Sequence, residues 1–167
     1  MDYHERRRRF REHATARIRR DHAAAARIQR LIGPELLVSY QLFVFSLFAA
    51  AVVERFGPEL DRAELAALTA ELRRARPDLH WLRAEALIRV CYGESRLYLD
   101  IPQAEQPELM WAVLVLLVPP DAGDDALDSL FTEADQIGRE TVTATFRAER
   151  LYGWADEPET PEAGEGP

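Results

Sequence analysis

A chain of 167 residues is long enough for one domain with a real core, because a domain of this size hides about 70% of the surface that its unfolded form exposes. The single cysteine, Cys91, excludes an internal disulfide, and the charged start of the chain lacks the apolar region of a signal peptide, so we expect a cytoplasmic protein. The net charge of -8 hides an asymmetry. Residues 1–30 hold ten arginines against four acidic residues, which predicts an acidic partner for this basic end.

Residues 2–31 are predicted to form one long, basic, amphipathic helix, which makes residues 1–31 a segment of its own. At about 100° per residue, its apolar side chains fall within about 80° of one another and form a narrow stripe. The stripe consists of Phe10, Ala14, Ile18, Ala25, Ile28 and Ile32. The opposite side carries Arg9, Arg19, Arg20, Arg27 and Arg30. We expect these five arginines, together with Phe10, Ile18 and Ile28, to bind partners.

Three interpretations of this helix stay open. The stripe can pack against the protein's own domain, with the arginines as a solvated face. It can instead pair with the stripe of a second copy, because so narrow a seam on so long a helix suits a homodimer. The arginine face can also bind nucleic acid phosphates, although the acidic remainder would repel DNA and asparagine, which reads bases, is absent.

The stretch 36–53 contains no charged residue and is predicted to be most of a helix over residues 34–56. Its length of about 27 Å comes close to the thickness of a bilayer core, so a single membrane span is one interpretation. Two serines and a glutamine within the run, and a glutamate at each flank, favour the other interpretation, a helix in the core of the domain. The second apolar run, residues 109–118, is too short to span and can bury the first.

The rest of the chain predicts further helices, bounded by proline, glycine and acidic residues. They lie at residues 61–76, 78–92, 106–118 and 121–152. The sequence therefore predicts an all-α, compact bundle of five or six helices, with a core domain of residues 32–153. Residues 154–167 have the composition of a disordered acidic tail.

An α+β fold is the alternative. Residues 86–101 alternate between apolar and polar well enough for a hairpin, residues 111–118 could be a buried strand, and residues 141–146 have a period of two. Helical spacing with a stop at Gly93 explains the first segment equally well and is preferred.

Three segments carry a resemblance to other proteins: VERFGPELDRAEL, AEALIRVCYGE and DDALDSLFTEAD. They resemble segments of small, uncharacterised, alanine-rich helical proteins of high-GC actinobacteria, over about residues 45–140. The resemblance implies an all-helical fold. It implies no activity, cofactor or functional residue.

The common catalytic motifs are missing. The chain has no lysine for a phosphate-binding loop and no C-x-x-C or H-E-x-x-H, and its histidines at positions 4, 13 and 22 fall on alternating helix faces. His80 and Cys91 would lie about 16 Å apart on one helix, too far to form a nucleophile and its base. We therefore expect a non-enzymatic interaction or regulatory module without cofactor, which self-associates through its N-terminal helix and binds an acidic protein; nucleic acid binding and a single membrane span are the alternatives.

Overall fold

In the computed structural model, the backbone is described for residues 2–153 and the side chains for residues 2–144. All regular structure in this part of the chain is helical, so the predicted all-α bundle is confirmed. The α-helices are α1 (Tyr3–Ile18), α2 (His22–Gln29), α3 (Leu37–Phe56), α4 (Arg62–Ala75), α5 (Trp81–Val90), α6 (Gln106–Leu117) and α7 (Asp124–Gly153). Short 3₁₀-helices cover Pro34–Leu36 and Ser95–Asp100. The predicted acidic tail, residues 154–167, lies outside the described residues.

The prediction of one uninterrupted N-terminal helix is wrong, because the chain turns between α1 and α2. Arg20 has a φ of 59°, a left-handed conformation that is uncommon for a residue other than glycine. The amide of Asp21 donates to the carbonyl of Ala16 at 2.9 Å, and that of Arg20 to the carbonyl of Arg17 at 3.1 Å, which closes α1 in a Schellman arrangement. The side chain of Asp21 then accepts from the amide of Ala24 at 2.9 Å and starts α2.

The apolar stretch 36–53 forms the central helix, α3, which packs mainly against α7 and α6. Residues 34–56, the helix with its preceding 3₁₀ turn, are long and apolar enough to cross a membrane by length and composition. Within this helix, 61% of the apolar 18-residue stretch is buried inside the protein. Leu47 and Phe48 are completely buried, so this stretch occupies the core that the sequence predicted for it.

The strand alternatives are wrong. Residues 86–101 contain the end of α5 and the 3₁₀-helix Ser95–Asp100 in place of a hairpin, and residues 111–117 belong to α6. Residues 141–146 continue the backbone of α7. Gly93, with a φ of 94°, supplies the left-handed residue that lets the chain leave α5, as the helical interpretation expected.

Besides its buried apolar residues, α7 has close and charged contacts with α3 and α1. A side chain at Gly138 would place its Cβ 3.1 Å from the Oγ of Ser46, so glycine allows α7 to approach α3 closely. The carboxylate of Asp135 binds two arginines of α1, Arg7 and Arg11, the latter at 2.6 Å. This double ion pair joins the first helix of the described chain to the last.

Candidate functional site

The apolar stripe of the N-terminal helices faces the protein's own core. Phe10 is 4% exposed and its ring lies edge-on to Tyr40, with 5.3 Å between ring centroids. Ile18 is buried in the same core, while Ile28 packs with Ala16 and Ala25 in a small separate cluster between α1 and α2. A second copy could reach these side chains only if α1 left the bundle, so the stripe is not exposed as the homodimer seam that was one of our expectations.

Two of the five arginines predicted to bind a partner, Arg9 and Arg19, contact other parts of the same chain instead. Arg9 donates to the carbonyl of Leu31 at 2.9 Å and pairs with Glu5 at 3.1 Å, which ties α1 to the end of the α2 segment. Arg19 pairs with Asp124 at 2.5 Å and ties the end of α1 to the start of α7. Both side chains therefore stabilise the fold by joining separate helices.

The other three, Arg20, Arg27 and Arg30, are exposed on and beside α2. None of them forms an ion pair with any carboxylate of the described residues. We call these three side chains the basic surface. Next to it in the chain lie three exposed apolar side chains: Leu31, Leu37 and Val38. Val38 is 79% exposed and lies in the first turn of α3, before the buried part of that helix.

An acidic surface lies close to the basic one. It consists of Asp121, Asp125 and Asp128, which precede and begin α7 and are exposed. Asp121 and Asp125 make no ion pair within residues 2–144, whereas Asp128 lines a cavity together with Arg11 and interacts with it electrostatically. The 2.5 Å contact between Arg19 and Asp124 holds the turn that carries Arg20 beside this end of α7. Arg20, at one end of the basic surface, is thus a neighbour of the start of α7.

Cys91, the candidate nucleophile, and the neighbouring acids Glu105 and Glu108 have structural surroundings. Burial raises the pKa of the Cys91 thiol to about 12, so it is protonated near neutral pH, where a nucleophile needs the thiolate. Glu105 accepts hydrogen bonds from Arg83 at 2.5 and 2.6 Å, and Glu108 accepts one from Arg76 at 3.0 Å. Within the described residues, no three acidic, histidine or cysteine side chains are grouped so that they could hold a metal ion.

Sequence reasoning missed the internal role of His13, which lies on the buried side of α1. Its ring is buried between Tyr40 of α3 and Trp111 of α6, and its Nδ1 is 2.5 Å from the Tyr40 hydroxyl. Burial, and then the nearby charge of Arg17, lower the pKa of His13 to about 4. Its place beside Ala14 in the stripe could have indicated that it is buried.

No family model, curated protein or solved structure matches the chain in comparisons with known proteins. Its function is therefore inferred from the chemistry of its surfaces.

Proposed function

We propose that the protein is a non-enzymatic interaction module that self-associates by pairing its basic surface with the acidic surface of a second copy. The single observation that carries this proposal is the ion pair between Arg19 and Asp124. It holds the turn that carries Arg20 beside the start of α7, where Asp121 and Asp125 form no ion pair within the described residues.

Adjacent patches of opposite charge suit a twofold dimer. In a twofold interface the same patch is used by both copies, so it must be complementary to itself. A face that is basic on one side and acidic on the other meets this condition, because a half-turn brings each sign opposite the other. The buried stripe stays in place in such a dimer, which avoids the cost of opening the core.

The exposed apolar residues beside the basic surface support a protein partner. Protein interfaces combine an apolar centre with a polar rim and are enriched in arginine. Leu31, Leu37 and Val38 provide apolar area that binding would remove from water. A phosphate backbone would gain nothing from these side chains and would be repelled by Asp121 and Asp125 near Arg20.

A charge exchange tests the proposal. One variant carries Arg20→Glu, Arg27→Glu and Arg30→Glu, and the other carries Asp121→Arg and Asp125→Arg. Size-exclusion chromatography with light scattering should find the wild-type protein as a dimer at low ionic strength and as a monomer at high ionic strength. Each variant alone should be monomeric, and an equal mixture of the two should dimerise.

The matched control replaces three exposed arginines elsewhere, Arg62, Arg96 and Arg139, by glutamate, and it should dimerise like the wild type. A wild-type protein that is monomeric at low ionic strength would contradict self-association. If that monomer bound duplex DNA with a steep dependence on salt, the arginines would belong to a nucleic acid site instead.

A further inference from the structure

A groove of about 990 Å³ runs between α4 and α5, on a surface separate from the basic and acidic surfaces. One wall follows a single face of α4 from Arg62 to Arg74, and the other follows α5 from Trp81 to Arg89. The 14 residues of α4 make a wall about 20 Å long. This length matches about four turns of an added helix.

The floor of the groove is apolar to an incoming ligand. It is formed by Leu65 and Thr69, which are buried, and by the half-buried ring of Trp81. The Thr69 hydroxyl donates within its own helix, to the carbonyl of Leu65 at 3.0 Å, so it needs no partner from outside. Ala66 and Ala70 are exposed along the same wall, and their small side chains let another backbone come close.

The rim of the groove carries unpaired positive charge. Arg73 and Arg74 form no ion pair with the described residues, and the guanidinium carbon of Arg73 lies 5.9 Å from the centroid of the Trp81 ring. Arg62 interacts electrostatically with Glu94 across the groove but forms no ion pair with it. Arg89 on the opposite wall differs, since Glu94 accepts its hydrogen bonds at 2.9 and 2.6 Å. In a protein of net charge -8, the α4 rim is therefore a local site for carboxylates.

We propose that this groove binds an acidic amphipathic helix of another protein. The apolar face of that helix would cover Leu65 and Trp81, and its carboxylates would pair with Arg62, Arg73 and Arg74. Helices bind such grooves through apolar residues spaced three and four apart, with charges at the edge that fix the register. A nucleic acid fits less well, because Glu85 and Glu94 on the α5 wall would face its phosphates.

The probe for a binding experiment is a labelled synthetic helical peptide of about four turns, with leucines on one face and glutamates along the flank that faces α4. Fluorescence anisotropy should detect its binding to the full-length wild-type protein. The triple variant with Arg62→Gln, Arg73→Gln and Arg74→Gln should bind at least about tenfold more weakly. A peptide of the same composition in scrambled order, and one with lysine in place of glutamate, should not bind.

Two controls separate this site from the proposed dimer. The variant with Arg96→Gln and Arg139→Gln loses exposed arginines elsewhere and should bind the peptide like the wild type. The charge-reversed basic surface should also leave binding unchanged, while the groove variant should keep the dimer and the thermal unfolding curve of the wild type. Absence of binding to the wild type, equal binding by the groove variant, or binding of the lysine peptide would overturn the proposal.

Discussion

The Nδ1 of His13 on α1 lies 2.5 Å from the hydroxyl of Tyr40 on α3, and both side chains are buried. This hydrogen bond is a polar contact inside an otherwise apolar junction of α1, α3 and α6. A buried imidazole with a pKa of about 4 is neutral in the folded protein at neutral pH, whereas the unfolded chain takes up its proton near the ordinary value of 6.5.

We expect the free energy of unfolding to fall as the pH is lowered from 6.5 to about 4. Over this range His13 is protonated in the unfolded state but stays neutral in the folded state. The contribution of His13 over this window is about 3 kcal/mol. Urea unfolding at several pH values measures it. His13→Gln keeps a hydrogen-bonding side chain without this titration and should flatten the curve; the same slope in both proteins would show that His13 is not responsible.

Removing the charge of Asp135 should destabilise the protein. Asp135→Asn leaves Arg7 and Arg11 facing each other without their shared carboxylate, and each already has a buried Nε without a partner among the described residues. We expect a loss of about 2 kcal/mol, less than for a fully buried pair because both guanidinium groups are partly exposed. Chemical denaturation measures this loss, and Glu133→Gln, an exposed change of the same charge on α7, serves as the control.

The central position of α3 gives a test that separates core from membrane. Leu47→Arg places a charge at a completely buried position and should unfold the protein. Val38→Arg places the same charge on the same helix at a position that is 79% exposed and should leave the fold intact. Expression without detergent measures how much of each variant is recovered in solution, and circular dichroism measures its helix content. Recovery of the wild-type protein only in detergent would favour the span.

Arg20 offers a stabilising substitution. A residue with a side chain pays about 1 kcal/mol for the left-handed conformation that closes α1, and glycine does not. Arg20→Gly should therefore raise the free energy of unfolding by about 1 kcal/mol relative to Arg20→Ala, which removes the same charge and keeps the strain. Thermal unfolding of the two variants gives the comparison, and equal stability would mean that the turn relaxes without glycine.

The sequence predicted those parts of the fold whose signals are local. Asp61 accepts hydrogen bonds from the amides of Ala63 and Glu64, as its position before α4 indicated, and Gly57 ends α3 with a φ of 74°. The break after α1 escaped prediction because Arg20 takes a conformation for which glycine is the usual signal. Asp21 is the N-cap of α2, but an aspartate at this place is also compatible with the interior of one longer helix, which is how the sequence was interpreted.

The candidate surfaces were predictable only in part. The amphipathic pattern identified Phe10, Ile18 and Ile28 as a face to be buried, but periodicity carries no information about whether the covering surface belongs to the same chain. The unpaired state of Arg20, Arg27 and Arg30 depends on where the acids of distant helices lie. The groove depends on the distance between α4 and α5, which residue spacing within either helix does not determine.

The separate small cluster under α2 has a consequence for local opening. The eight-residue helix is held mainly by Ala16, Ala25 and Ile28, far less apolar area than secures α3. Its amides should therefore exchange with solvent deuterium through opening of α2 alone, at a free energy below that of global unfolding. Because α2 carries Arg27 and is flanked by Arg20 and Arg30, a bound partner would slow exchange there first, and deuterium uptake over residues 22–29 becomes a direct measure of occupancy.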